Sequence, residues 1–517
     1  MKGDETAPGS ASSTTPRPPE IFDSSETESV SRTRAIIGAV AAPAVFLLVL
    51  LLPLPSLSPE AHRLAAIMAA IVVLWVTEAL PMPVTAIMGA AACVLLRVAP
   101  AKEVFAPFAD PLMFLFIGSF ILARAITLHG LDRRLAFGVL SMRWVGASPS
   151  RILFAFGAVT AFISAWISNT ATTAMMFAIG MAILTFMSQS ERAEGRRLHP
   201  QYATALMLMT SFAASVGGLA TPIGTPPNVI GLGFMRRLVG VEFPFFKWMM
   251  IGVPIVVVLF SFLFFYLNRT SRGVSMNLTG SAEMLRRESA TQGQWSRSEV
   301  STVIAFATTV ALWILPGIIA IVFGDTSAQF KAITARVPEG VAAIIGASLL
   351  FILPGDQKGH AMEWREATKI DWGIVLLYGG GFALGVLSFQ TGLAETMGRG
   401  IISFLPASTG LGLLIASTVM SVLVSEVTSN TASANMVVPV VISIAVAAGA
   451  DPLEPALGAT LGASLGFMLP VSTPCNAIVY GSGYIPIGRM MRYGIVLDIA
   501  GIIVIVTMVR LLVPLIR

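Results

Sequence analysis

Two stretches decide how this chain folds: Ile163-Ser164-Ala165-Trp166-Ile167-Ser168-Asn169-Thr170-Ala171 and Val424-Ser425-Glu426-Val427-Thr428-Ser429-Asn430-Thr431-Ala432. They lie 261 residues apart and share a serine, then a Ser-Asn-Thr triplet, at the same spacing. Each sits in the middle of an apolar run, 152–187 and 409–447, too long for one span of a hydrocarbon core about 30 Å thick. Polar residues at that depth need partners inside the protein, because lipid offers none. Each run is therefore either two spans or a re-entrant hairpin with a buried tip, and both choices return the chain to the side it came from.

The composition around these stretches agrees. Of 517 residues, 55% are hydrophobic and only 12% charged, against about 25% charged in soluble domains. Further apolar segments fall at 35–54, 64–82, 84–98, 111–128, 203–233, 248–267, 300–323, 339–353, 372–391, 455–481 and 491–515. The alternating strands of about 10 residues that an outer-membrane barrel needs are absent from this reading. An all-α polytopic membrane protein is expected. With both long runs returning and the N-terminus in the cytoplasm, 19 Lys and Arg flank the spans inside and 11 outside, the expected bias. Residues 1–34, rich in Ser, Thr, Pro and Glu, read as a disordered cytoplasmic tail without an apolar signal segment. Stretch 268–298 reads as a cytoplasmic linker between two halves.

The net charge of +5 is spread between spans rather than gathered in a patch, so nucleic acid is not an expected partner. Cys93 and Cys475 form no CxxC pair, and His62, His129, His199 and His360 show no metal-ligand spacing. No cofactor is expected.

More features repeat in the same order. Asp110 to Gly118 matches Asp371 to Gly379, and Gly130-Leu131 matches Gly392-Leu393. Pro222-Ile-Gly-Thr-Pro-Pro-Asn228 matches Pro470-Val-Ser-Thr-Pro-Cys-Asn476 at an offset of 248. The first hairpin opens to the cytoplasm and the second to the outside, so the halves are inverted repeats. With interrupted helices, that arrangement points to a secondary transporter whose site lies between the repeats. Prolines in succession leave unwound backbone. Helix N-termini there suit carboxylates, and carbonyl oxygens suit a hard cation. None of the four motifs holds Lys or Arg, so a bound dianion calls for a co-bound cation, and sodium would supply attraction and coupling together.

A single Ser-Asn-Thr triplet would ordinarily read as interhelix hydrogen bonding. Two at the repeat offset, each followed by a Pro-broken loop, read as a site. Glu78, Glu426 and Asp498 are the main intramembrane acids, and buried carboxylates can relay protons. Glu426 has Ala165 as its repeat counterpart, and Glu78 reads as pinning a helix end. Arg124, Arg133 and Arg134 read as interface anchors or interhelix contacts.

The doubled triplets, Thr221 to Asn228 and Thr77-Glu-Ala-Leu-Pro-Met-Pro83 resemble the divalent anion/sodium symporter family over roughly residues 36–517. The resemblance implies an elevator-type homodimer of about eleven membrane helices with two re-entrant hairpins and two broken helices. Scaffold helices would occupy 35–150 and 299–405, and transport-domain segments 151–267 and 406–517. It further implies that Ser164, Ser168, Asn169 and Gly224 surround one sodium, and Ser425, Ser429, Asn430 and Ser472 a second. Ser168, Asn169, Thr170, Thr225, Ser429, Asn430, Thr431, Thr473 and Pro474 would hold the substrate, with Cys475 beside it. Ser425 and Ser472 depart from the family's usual residues while keeping or adding an oxygen. The expected activity is sodium-driven import of C4-dicarboxylates such as succinate, malate and fumarate, in a bacterial inner membrane. The alternatives are a sodium-independent exchanger, a sulfate or citrate carrier, or, from another class, a membrane enzyme or receptor; no nucleophile–base pair supports the last.

Overall fold

The computed structural model describes residues 24–145, 148–193, 198–270, 279–324, 326–356, 359–402 and 410–516. The first 23 residues of the expected tail, with Arg196, Arg197, Arg272 and Lys358, lie outside them. Among the described residues the fold is helical, with one isolated bridge between Pro354 and His360.

The first half runs α1 (Ser24–Leu51), α2 (Pro59–Thr77), α3 (Met82–Leu95), the short α4 (Ala101–Phe105), α5 (Pro111–Leu128) and α6 (Leu131–Leu140). Then come α7 (Pro149–Ser164), α8 (Asn169–Ala193), α9 (Pro200–Gly217), α10 (Pro226–Phe234) and α11 (Phe245–Thr270). After α12 (Thr279–Thr291), the second half runs α13 (Arg297–Phe323), α14 (Ala328–Arg336), α15 (Glu339–Leu349), α16 (Trp364–Ala367), α17 (Trp372–Gln390) and α18 (Leu393–Ile402). It ends with α19 (Gly410–Val427), α20 (Asn430–Ala447), α21 (Leu453–Gly462), α22 (Pro474–Tyr480) and α23 (Ile487–Ile516). Among the described residues, eleven helical stretches are long and apolar enough to cross a membrane.

Local chemistry explains most boundaries. Proline opens α2, α5, α7, α9, α10 and α22, where its missing N–H costs nothing. Ser58, Asp110, Ser148, Ser296 and Asp371 cap helix starts with side-chain oxygens, satisfying donors that lipid cannot. Glu78 ends α2 in the left-handed region at φ 51°, so the pinning expected of it is done by its backbone.

One expectation needs correction. Part of the 1–34 tail is helical, because α1 already starts at Ser24. The 268–298 linker is partly helical. It contains α12, whose Leu285 is buried and whose Met284 packs on the main core, so an amphipathic turn pattern overrides the polar composition. Arg124 pairs with Glu366 at 2.7 Å, and Arg134 with Glu299 at 2.7 Å. Arg134 also donates to the Gln292 and Gly293 carbonyls and lies over the Trp295 ring. Both arginines are interhelix contacts.

The main core gathers α5, α7 to α11 and α19 to α23, and a smaller cluster joins Leu64, Ile71, Trp75, Ala90, Leu377 and Leu384 of α2, α3 and α17.

Candidate functional site

The two long runs fold as helical hairpins. Residues 165–168 link α7 to α8, and residues 428–429 link α19 to α20. The two broken helices interrupt between α9 and α10 and between α21 and α22. All four interruptions line one cavity of about 380 Å³, a size that suits a small organic ligand. Each hairpin tip thus shares one cavity with the interruptions of both broken helices.

The cavity wall holds Ser168, Asn169, Thr170, Thr225, Ser429, Asn430, Thr431, Ser472, Thr473, Pro474 and Cys475. Every residue expected to hold substrate is among them. Ser164, Gly224 and Ser425 stand one layer behind. Pro226, the expected helix break, is also in the wall; sequence reasoning did not single out Ser215, and Gly373, Ile374 and Leu377 appeared only inside the repeated stretch Asp371 to Gly379. Met82, Pro83 and Asp371 were within quoted motifs but without a role. Asp371 and Cys475 are the only ionisable side chains in the wall, and it holds no Lys or Arg.

The unwound loops are stapled alike. Asn228 Nδ2 donates to the carbonyls of Gly218 (2.9 Å) and Thr221 (2.8 Å). Asn476 Nδ2 donates to those of Gly466 (2.9 Å) and Leu469 (3.0 Å), the same positions one repeat later. These asparagines end the Thr-Pro-x-Asn motif, so its spacing carried the signal. They fix the backbone that a Pro-broken helix leaves without helical partners.

Behind each tip is a knot of oxygens. Ser164 Oγ donates to Asn169 Oδ1 at 2.8 Å, and that oxygen lies 3.2 Å from the carbonyls of Ala214 and Gly224. Turned over, the amide would donate to all three; a cation placed among them would satisfy the same oxygens without turning. In the second half, Ser425 Oγ lies 2.8 Å from both Asn430 Oδ1 and the Ala463 carbonyl, with one proton to share between them. Asn430 Nδ2 reaches the Ser464 carbonyl at 3.4 Å. Ser472 is a partial exception among the expected cation residues: its hydroxyl is engaged by Glu426, 2.6 Å from Oε2 and 2.9 Å from the carbonyl oxygen. Ser429 Oγ caps α20, and Thr473 Oγ1 accepts from Asn476 N–H at 3.1 Å.

Residues 33–516 match the family described as "Sodium:sulfate symporter transmembrane region". The chain belongs to the divalent anion/sodium symporter family. This symporter is 32% identical over 485 residues to the sodium-dependent dicarboxylate transporter SdcS of Staphylococcus saprophyticus, covering 93% of this chain and 91% of that one. It is 32% identical over 502 residues to the SdcS of Staphylococcus aureus strain MRSA252, covering 96% and 94%. Among solved structures, the YdaH transporter of Alcanivorax borkumensis superposes with a TM-score of 0.51 at 13% identity, over 81% of this chain and 89% of that chain; the likeness is one of fold. The symporter is a multi-pass membrane transporter and not an enzyme.

Proposed function

We propose that the protein imports C4-dicarboxylates such as succinate, malate and fumarate, driven by sodium. The observation that carries this reading is the shared cavity, where both Ser-Asn-Thr tips and both Thr-Pro loops meet without a single cationic side chain. The helices α8, α10 and α20 begin at its wall, and their N-termini offer N–H groups and partial positive charge. Hydroxyls of Thr170, Thr225, Thr431 and Thr473 and the amides of Asn169 and Asn430 supply uncharged donors for two carboxylates. That is weak compensation for a dianion. Sodium ions in the two oxygen knots add the missing charge, so neither ion nor substrate binds well alone, which is coupling. The names of the SdcS relatives support the same pairing of sodium with dicarboxylate.

Transport follows an elevator course in this reading. The hairpins and broken helices, with α11 and α23, carry the site, while α1 to α6 and α13 to α18 form the scaffold and the homodimer contact. The separate apolar cluster of α2, α3 and α17 supports a scaffold with its own packing. The N-terminus is cytoplasmic by the charge bias of the flanks, in a cell membrane.

The test is radiolabelled succinate uptake into proteoliposomes under an inward sodium gradient, with potassium outside as control. Uptake against the succinate gradient only with sodium is expected. Uptake that needs internal succinate but not sodium would show an exchanger and remove the cation assignments.

A further inference from the structure

Asp498 is out of place in a membrane-embedded core. It is 4% exposed in the middle of α23, and neither of its carboxyl oxygens has a hydrogen-bond partner. A buried polar group left unpaired calls for a missing water, proton or ion, and within a membrane an ionisable side chain marks function by default.

Its surroundings narrow the choice. Gly494 and Gly501 lie one turn either side of Asp498 on the same face. At Gly494 a Cβ would meet Phe467 carbonyl oxygen at 2.4 Å, and at Gly501 it would meet Leu465 at 2.5 Å. Asp498 is thereby pressed against the broken-helix loop 463–473. Across that loop stands Glu426, whose carboxylate accepts from Met468 N–H (2.8 Å), Leu469 N–H (3.3 Å) and Ser472 Oγ (2.6 Å). Both acids are therefore held against one short segment, residues 465–469. Among the described residues neither carboxyl group takes part in an ion pair, and the nearest basic residue along α23 is Arg492. Of the helices packed on α23, α19 brings only Glu426, and α21 only Glu454, which pairs with Arg510 at 3.0 Å. On α11, Lys247 and Arg269 lie near the two ends.

We propose that Glu426 and Asp498 bind a monovalent cation of the sodium class, a site additional to the two oxygen knots behind the hairpin tips. Two buried acids without a counter-charge are costly, and a cation held between them removes that cost. Asp498 supplies two free oxygens, Glu426 keeps lone pairs beyond its three donors, and the Phe467 carbonyl lies at the same face. The loop these groups clamp also forms the second knot and the cavity wall, so filling the acid site would order Ser472 and Thr473 for substrate. The inference rests on the sodium-coupled reading above and adds one ion to it.

The test is equilibrium binding of radioactive sodium to the purified full-length protein, with the sodium-to-succinate coupling ratio measured in proteoliposomes at zero net flux. Asp498→Asn keeps shape and removes charge. It is expected to bind one sodium fewer than wild type and to lower the coupling ratio by one, while uptake remains sodium-dependent. Glu426→Gln is expected to lose the same ion, so a poorly folding first variant does not end the test. Unchanged stoichiometry in a folded variant overturns the site and assigns the pair a shared proton instead. Wild-type protein that binds no sodium at all would overturn the sodium-coupled reading itself, a distinguishable failure.

Discussion

The two halves of the cavity repeat one another in sequence and backbone, yet one is neutral and the other carries charge. In the first half Ala165 and Gly224 occupy the positions that Glu426 and Ser472 hold in the second. There, Thr221 Oγ1 donates to the Ala165 carbonyl at 2.5 Å, and the loop is tied down by side chain to backbone. In the second half a loop hydroxyl, Ser472 Oγ, also reaches the equivalent carbonyl, that of Glu426 at 2.9 Å. The Glu426 carboxylate adds a tie the first half lacks by collecting the backbone N–H groups of Met468 and Leu469. The stapling asparagines differ too. Asn476 Oδ1 accepts from Ser211 Oγ at 2.6 Å, while Asn228 Oδ1 has no partner. Duplication preserved the binding elements and left the supporting contacts free to diverge.

The largest effect is expected at the elements that both halves share. Asn169→Ala and Asn430→Ala should each reduce sodium-driven succinate uptake to background while the purified protein elutes as wild type. Each asparagine faces the cavity and also ties a knot behind it, so substrate and ion lose a partner together. Near-normal uptake in either variant would mean that its half does not bind, and the symmetry would be only structural.

A sharper comparison uses one repeat position. A Cβ at Gly218 would stand 2.4 Å from Asn169 Oδ1, whereas at Gly466 the nearest atoms are 3.4 Å away. Gly218→Ala should therefore cost about 1–3 kcal/mol, as overpacking does, and lower the melting temperature in detergent. Gly466→Ala should melt as wild type. Equal losses in both would show that the second knot is as tightly packed as the first.

Cys475 offers a readout of occupancy in the second half. It is 2% exposed and lines the cavity. In a Cys93→Ala background, its reaction with a small thiol reagent should slow severalfold when sodium and succinate are present together, and less with either alone. A rate indifferent to both would place substrate away from this half.

How much of this was legible depends on where a signal repeats. The hairpins, the broken helices and the residues that meet at the cavity follow from Ser168-Asn169-Thr170, Ser429-Asn430-Thr431 and the Thr-Pro-x-Asn loops, because unwound backbone at membrane depth has few outcomes. Contacts made by unrepeated residues left no pattern. Met82 enters the wall through packing of α3 and α17, and Asp498 comes to the loop that Glu426 holds only once α23 is laid on it. The helix in 279–291 was hidden for another reason: its composition is polar, and only a few side chains, such as Leu285, are buried.

The smallest expected effect tests whether the charged tie matters to the ion. Ser472→Ala removes the hydroxyl bonded to Glu426 Oε2 at 2.6 Å, while the Met468 and Leu469 N–H groups stay on the carboxylate. The loss should be near the net worth of one hydrogen bond, about 1 kcal/mol. Ser472→Gly, which gives the second loop the residue type of Gly224, should behave alike. Half-saturating sodium for uptake should then rise no more than about fivefold, the amount that 1 kcal/mol allows. A rise far beyond that would mean that the hydroxyl is itself a sodium ligand and that its bond to Glu426 gives way when the ion arrives. The neutral and charged halves would then bind sodium through different chemistry, a glycine backbone in one and a side-chain oxygen in the other.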